Sequence, residues 1–255
     1  MDLGLKGKRA IVTGASRGIG RAIAEVLARE GASVALCARG QAGLDEAVAS
    51  LSASGAEAFG DCVDAREPDG LSSWVGRAAE RLGGLDILIS NISTRVDPRG
   101  ANWWQETFEV DFHQHVRAFD AALPALKAGE APAAIFVSSI ASVLTQLPPN
   151  EIAYGAMKAA LTSFGSQMAT VHGPSGVRVN LVAPGPIFFE GGVWDMIRQK
   201  QPDLYERASR LSSLGRMGTP DEVANAVAFL ASPAASYITG VNLRIDGGVL
   251  RTANF

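Results

Sequence analysis

Tyr154 and Lys158 lie one helical turn apart in the run Tyr154-Gly155-Ala156-Met157-Lys158, a spacing that puts both side chains on one helix face. A phenol with an ordinary pKa of about 10 is a poor acid or base at neutral pH. A neighbouring ammonium favours the phenolate and brings that pKa down. Such a tyrosine can give a proton to a carbonyl oxygen as hydride arrives at the carbon, or take one from an alcohol. The pair alone carries little weight, because exposed helices often place Tyr and Lys at this distance. Upstream, Ser138-Ser139 closes an apolar run. A hydroxyl at the carboxyl end of a parallel strand stands where open α/β sheets bind ligands, and it can hydrogen-bond a substrate oxygen. Two serines after a strand also make an ordinary turn or helix cap.

A second constellation suits phosphate. Thr13-Gly14-Ala15-Ser16-Arg17-Gly18-Ile19-Gly20 follows one apolar run and opens an amphipathic one. Gly14 allows positive φ in a tight turn, Gly18 lets the backbone approach a phosphate with no Cβ between, and Gly20 permits close packing of helix on strand. The N–H groups at the helix start, with the helix dipole, then face a pyrophosphate. A glycine triplet alone is weak; its strand–turn–helix setting gives it meaning. At the end of the second apolar run a carboxylate would bond the ribose 2′-hydroxyl of NAD. The chain has Ala38 there, followed by Arg39. Arg17 and Arg39 together suit a 2′-phosphate through charge-assisted bonds, so the expected cofactor is NADP(H). Either arginine alone can be a solvated surface charge.

Short apolar runs at 9–13, 33–37, 58–62, 86–90, 134–138, 178–182 and 242–245 read as strands. Helix-length amphipathic segments at 19–29, 42–52, 68–81, 103–126 and 152–171 lie between most of them. This alternation predicts a doubly wound α/β fold: parallel strands, right-handed crossovers and helices on both faces. With 255 residues, 47% hydrophobic and 19% charged, the chain reads as one domain with a sizeable core. Residues 186–217, rich in aromatic and apolar groups, break the rhythm and are expected to form a substrate lid, the alternative being a pair of packing helices.

A net charge of −3 gives no reason to expect a nucleic-acid partner. No apolar run is long enough for a membrane span and the first residues lack a secretory pattern, so a cytoplasmic protein is expected. Cys37 and Cys62, without Cys-x-x-Cys spacing, read as buried reduced thiols. His113, His115 and His172 read as surface or interface groups rather than metal ligands, and no metal is expected. Trp103-Trp104 reads as the start of a helix that packs on a neighbouring subunit.

From about Gly7 to Gly248, these ordered motifs resemble the classical short-chain dehydrogenases/reductases. The resemblance implies a single Rossmann-type domain with a seven-stranded parallel sheet, a homotetramer, and hydride transfer between a nicotinamide and an alcohol or carbonyl. Ser139, Tyr154 and Lys158 match the catalytic trio, with Ser139 orienting the substrate oxygen and Lys158 also holding the nicotinamide ribose. Gly14, Ser16, Arg17, Gly18, Ile19 and Gly20 match the glycine motif, and Asp64 the adenine contact. Asn91, Pro184, Gly185 and Ile187 fall in the segments that approach the cofactor. The segments Gly215-Arg216-Met217-Gly218, Thr239-Gly240 and Asp246-Gly247-Gly248 match the family's carboxyl-terminal signature.

Three departures stand out. The family's Asn-Asn-Ala-Gly is Ser90-Asn91-Ile92-Ser93, its catalytic helix Asn is Asp111, and a Thr after Pro-Gly is Phe189. Asp111 keeps the main-chain carbonyl that the resemblance assigns to a water relay toward the lysine. Ile92, Leu147, Phe188, Phe189 and Trp194 are the expected substrate-facing residues, joined by Val143, Leu144, Val193 and Met196. Their apolar character predicts a largely apolar ketone. A 3-oxoacyl-thioester reductase is the main alternative activity. A non-catalytic NADP(H)-binding sensor or assembly subunit is the alternative of another kind.

Overall fold

The computed structural model describes residues 2–93 and 96–252. Seven strands form one parallel sheet: β1 (Arg9–Thr13), β2 (Ser33–Ala38), β3 (Ala58–Cys62), β4 (Ile87–Ser90), β5 (Ala133–Val137), β6 (Arg178–Pro184) and β7 (Asn242–Ile245). Their order is β3-β2-β1-β4-β5-β6-β7, and every neighbouring pair is parallel. The winding reverses between β1 and β4. A crevice opens at such a switch point, beyond the carboxyl ends of the strands.

The two faces of the sheet carry separate cores. One is closed by α1 (Gly18–Arg29), α2 (Gln41–Ala53) and α9 (Pro220–Ala231), with Ile23, Leu44 and Val223 buried against Val12, Leu36 and Ile89. The other is closed by α3 (Pro68–Arg81), α5 (Gln114–Lys127) and α6 (Ile152–His172), where Trp74, Phe119 and Leu161 meet Ile11, Leu88 and Phe136. β4, β5 and β6 are buried along their whole length, which is why Ile87–Ile89 and Ala133–Val137 are apolar without alternation; β6 also buries Arg178 and Asn180.

The expected helix over 103–126 is three pieces: α4 (Trp103–Phe108), a π-helical turn (Glu109–His113) and α5. Asp111 sits inside the π turn; such bulges often mark functional positions because they re-aim a side chain off the regular helix. In the expected lid, α7 (Val193–Lys200) and α8 (Pro202–Ser209) stand where the sequence left a choice between a lid and paired helices. Parallel bonds from Phe188 N–H to the Gly218 carbonyl (2.9 Å) and from Gly218 N–H to the Pro186 carbonyl (3.0 Å) tie the base of this excursion. α9 has no counterpart among the sequence-predicted helices. It is opened by a full capping box, Thr219 with Glu222, and by a proline in its first turn.

At the amino end of the sheet, charged groups are buried and fully engaged. Asp86 accepts from the Arg9 backbone N–H, Arg9 Nε (2.9 Å), Arg9 Nη2 (2.8 Å) and the Glu130 backbone N–H (2.8 Å). The Arg9 and Glu130 donors hold its carboxyl below the usual range against the opposing effect of burial. Arg178 donates to the carbonyls of Leu230 (2.7 Å), Ala231 (3.3 Å) and Ser232 (3.0 Å), capping the end of α9 with a guanidinium.

Two expectations are corrected. Cys37 is buried, and burial pushes its thiol up to about 12, but Cys62 is exposed. It lies on the edge strand β3, whose last residues face solvent. His115 is not a surface group: it is fully buried, with its ring edge-on to Phe136. Trp104 is half exposed. Among the described residues no helix is long and apolar enough to cross a membrane, and no three His, Cys, Asp or Glu side chains gather as a metal site.

Candidate active site

β1 ends in the glycine turn, which bends back over β2: the N–H groups of Gly14 and Ala15 both donate to the Cys37 carbonyl, at 2.8 and 3.1 Å. Gly14 (φ 69°) and Gly18 (φ 57°) occupy the left-handed region, where a Cβ is strained. Gly20 is required by contact: a Cβ there would lie 2.4 Å from the Gly14 carbonyl oxygen and from Asn91 Nδ2. Asn91 Nδ2 donates to the carbonyls of Thr13 and Gly14, both at 3.0 Å, and its N–H donates to Thr13 Oγ1. The segment after β4 is thereby stitched to the glycine turn. Arg17, at the N-cap of α1, supplies no side-chain cap, so the first N–H groups of that helix are available to an anion.

Arg39 is exposed at the end of β2. Asp64 follows β3 and is gripped by Arg66, which draws its carboxyl below the usual range. Arg17 donates through Nη1 to the Gly191 carbonyl at 3.2 Å, so one of the two expected phosphate-binding guanidiniums is engaged with the excursion. Phe189 was expected on the substrate side. The structure seats its ring on the glycine turn instead: Cζ is 2.7 Å from where a Gly18 Cβ would be and 2.9 Å from where a Gly192 Cβ would be. Only two glycines leave room for it. The ring fills the space over Gly18. Ile92, also expected at the substrate, packs its Cγ1 and Cα over Gly14.

Ser139, Tyr154 and Lys158 lie on two pieces of chain that pack together, the turn after β5 and α6. Ser139 follows β5 and caps a short 3-10 turn (Ile140–Ser142), its Oγ accepting from the Ala141 N–H at 3.1 Å. α6 presses onto this turn at Gly155, where a Cβ would meet Leu147 Cδ1 at 2.2 Å and the Ala141 carbonyl at 3.1 Å. That close approach brings α6, with Tyr154 just before Gly155, against the turn that Ser139 caps, and Leu147 packs at the same Gly155. Ser138 is turned inward, bonded to the Lys158 carbonyl and the Thr162 hydroxyl. Lys158 is buried; its Nζ lies 5.7 Å from the Tyr154 ring centroid, donates to the Val137 carbonyl at 3.2 Å and sits 3.7 Å from Asp111 Oδ1. Burial pulls the Lys158 pKa below its usual value, and Asp111 works in the opposite direction.

Three contacts were not foreseen from sequence. Ser93 Oγ donates to Asp111 Oδ1. His115 Nδ1 and Ser90 Oγ are 2.7 Å apart. Gln114 Nε2 donates to the Ile92 carbonyl at 3.1 Å. Burial, and then the Lys158 charge, hold the His115 pKa well below its usual value, so its imidazole is neutral.

Pro184 and Gly185 end β6, with the Gly185 N–H bonded to the Ile245 carbonyl at 3.0 Å. Ile187 is buried beside them. Phe188 meets Tyr205 edge-on and lies under the Arg198 guanidinium, 4.7 Å from its centroid. It lines a cavity of about 380 Å³ with Tyr205, Arg210, Arg216 and Met217 that includes none of Ser139, Tyr154 or Lys158. Trp194 is half-buried on α7, while Val143, Leu144 and Met196 are exposed.

A family model described as enoyl-(acyl carrier protein) reductase matches residues 14–250. Isoepoxydon dehydrogenase of Penicillium expansum is 35% identical over 253 residues, covering 98% of this chain and 97% of that protein. A 3-oxoacyl-[acyl-carrier-protein] reductase of Vibrio cholerae is 34% identical, covering 97% and 99%. Among solved structures, L-sorbose reductase of Gluconobacter frateurii, complexed with NADPH and L-sorbose, superposes with a TM-score of 0.89 at 32% identity over 99% of this chain and 100% of that one.

Proposed function

Because the chain belongs to the classical short-chain dehydrogenase/reductase family of oxidoreductases, we propose that it is an NADP(H)-dependent alcohol dehydrogenase/carbonyl reductase acting on a largely apolar ketone. The observation that carries this reading is the buried Lys158 beside Tyr154 on α6, held against the Ser139 turn by the Gly155 contact.

The described residues fit a dinucleotide: a glycine cradle that no Cβ could share, uncapped N–H groups at the start of α1 and an exposed Arg39 with no carboxylate before it. They fit once the Phe189 ring leaves Gly18. Gly14, Ser16, Gly18, Ile19 and Gly20 would hold the pyrophosphate, Arg17 and Arg39 the 2′-phosphate, Asp64 and Asn91 the adenosine side. Lys158, Pro184, Gly185 and Ile187 would hold the nicotinamide end. Bound NADP(H) supplies or takes the hydride. Ser139 donates a hydrogen bond to the substrate oxygen. The Tyr154 hydroxyl gives its proton to that oxygen in reduction and takes one in oxidation. The Lys158 ammonium stabilises the phenolate, and the Asp111 carbonyl in the π turn is the relay point toward Lys158. Support for NADP(H) comes also from the NADPH complex of the L-sorbose reductase.

Leu147, packed on Gly155, the residue after Tyr154, supports an apolar substrate wall. The Vibrio cholerae relative favours a second reading, a 3-oxoacyl-thioester reductase. A homotetramer belongs to the same proposal, supported by apolar side chains exposed on α4 and α6, Trp104 and Ile152; light scattering of the purified protein tests it. The test of function is NADPH consumption against cyclic and linear ketones, L-sorbose and 3-oxoacyl thioesters, with NADH and Tyr154→Phe alongside. Turnover of an apolar ketone with NADPH that collapses in the variant is the expected result. A thioester as best substrate selects the second reading. L-sorbose as best substrate overturns the apolar one. Tight NADPH binding with no turnover of any substrate makes the protein a non-catalytic binder.

A further inference from the structure

Two departures from the family pattern, far apart in sequence, meet in one hydrogen bond. Ser93 stands where the resembling motif has glycine and Asp111 where it has asparagine, and the Ser93 hydroxyl donates to Asp111 Oδ1. The same oxygen lies 3.7 Å from Lys158 Nζ. Both partners are buried, Asp111 at 0% and Lys158 at 1% side-chain exposure. Two isolated charges at that depth would each be costly, and mutual pairing with added hydrogen bonds offsets the cost. Lys158 also has the Val137 carbonyl, and Asp111 has Ser93.

Among the described residues, groups from several elements face this pair. From α6 come Lys158 and Tyr154. From α5 comes His115, neutral through burial. On the π turn itself Glu109 is directed to Arg117 (3.2 Å) and His113 (3.1 Å). β5 contributes the Val137 carbonyl, and Ser138, just after it, contributes a hydroxyl, neither of which titrates in the working range.

We propose that Ser93 is a positioning residue that holds Asp111 as an anionic partner of Lys158, and that this charge moves the proton-handling range of Tyr154 and Lys158 to higher pH than an asparagine at the same place would give. The inference rests on the oxidoreductase reading above for its catalytic meaning. The sign follows from charge alone. A carboxylate beside Lys158 stabilises the ammonium and partly cancels its pull on the Tyr154 phenolate. Both groups then keep their protons to higher pH. Removing the negative charge lowers the pKa of each neighbour.

The first readout needs no cofactor. Phenolate absorbance is titrated in the full-length protein, and Tyr154 is isolated by subtracting the same variant carrying Tyr154→Phe. Asp111→Asn is expected to lower the Tyr154 midpoint by about one pH unit. Ser93→Ala is expected to lower it less, because the carboxylate is no longer fixed against Lys158, and to lower it not at all in the Asp111→Asn background. The second readout is the pH profile of kcat/KM for alcohol oxidation, whose limbs move to lower pH in Asp111→Asn. Circular dichroism confirms the fold of each variant, and Ser93→Gly, the residue of the resembling motif, replaces Ser93→Ala if the latter unfolds. A Tyr154 midpoint unmoved or raised in Asp111→Asn overturns the inference while an active wild type leaves the proposed function standing. An equal Ser93→Ala shift in both backgrounds overturns the positioning role. A midpoint that falls as expected in a protein that turns over no substrate supports the charge arrangement and overturns the proposed function.

Discussion

The two ends of the sheet handle polar groups in opposite ways. At the amino end, Asp86 accepts four hydrogen bonds and Arg178 spreads its guanidinium over the last carbonyls of α9. Those groups are buried and have no contact left to offer. At the carboxyl end, the glycine turn leaves helix N–H groups uncapped and Ser139 is partly open. Satisfied polar groups fix a fold, while groups with capacity to spare serve a ligand. The difference teaches that stability and chemistry are segregated along the strand direction, so each can be removed with limited damage to the other.

The sharpest way to break that segregation is at the carboxyl end. Tyr154→Phe removes one hydroxyl and is expected to reduce kcat/KM by about 10³-fold or more with an unchanged melting temperature; steady-state kinetics and a thermal melt on the same sample check both halves. Next comes the amino end. Asp86→Ala leaves the Arg9 guanidinium and two backbone N–H groups without their acceptor and is expected to cost about 3 kcal/mol, read by urea unfolding, with kcat of the folded fraction intact. The Asp86 contribution also depends on pH. Its folded pKa is depressed, so the stabilisation is complete above the unfolded carboxyl range of roughly pH 4 and is lost as the pH falls through the lower folded value. Asp86→Asn flattens that acid limb. A smaller effect is expected at Arg39→Ala, which weakens NADPH binding roughly tenfold and leaves NADH binding unchanged, as calorimetry with both nucleotides would establish. The smallest belongs to Phe189→Thr, which frees the space over Gly18 and tightens NADPH binding roughly threefold in the same assay.

What the sequence made legible follows the same division. The sheet, its order of elements and the glycine turn could be read because they rest on backbone requirements: apolar runs buried on two faces, glycine at positive φ, a helix opening after a strand. The placement of Tyr154 and Lys158 one turn apart on one helix could be read because their spacing is local, and Ser139 could be read as the residue that follows an apolar strand. α9 was missed although Thr219-Pro220-Asp221-Glu222 carries a capping box with proline in the first turn, a signal available to closer reading. Asp111 was read as a helix residue because a π turn has no sequence periodicity of its own. The Ser90–His115 and Ser93–Asp111 bonds join residues 25 and 18 apart, and nothing in a local window links them. Phe189 was assigned to the substrate by its apolar character. Its real seat depends on Gly18, far upstream, and on Gly192, so only the folded chain pairs the ring with two missing side chains.

That seat has a kinetic meaning. An aromatic ring wedged between two glycines must vacate before the proposed nucleotide can settle on the same backbone, so encounter and accommodation become separate events. The observed rate of NADPH association, followed by stopped-flow fluorescence, is then expected to climb with concentration and level off at the frequency with which the ring departs. In Phe189→Thr the plateau disappears and the rate rises linearly. The pace at which this protein exchanges its nucleotide would be written in one side chain that touches neither the hydride nor the proton.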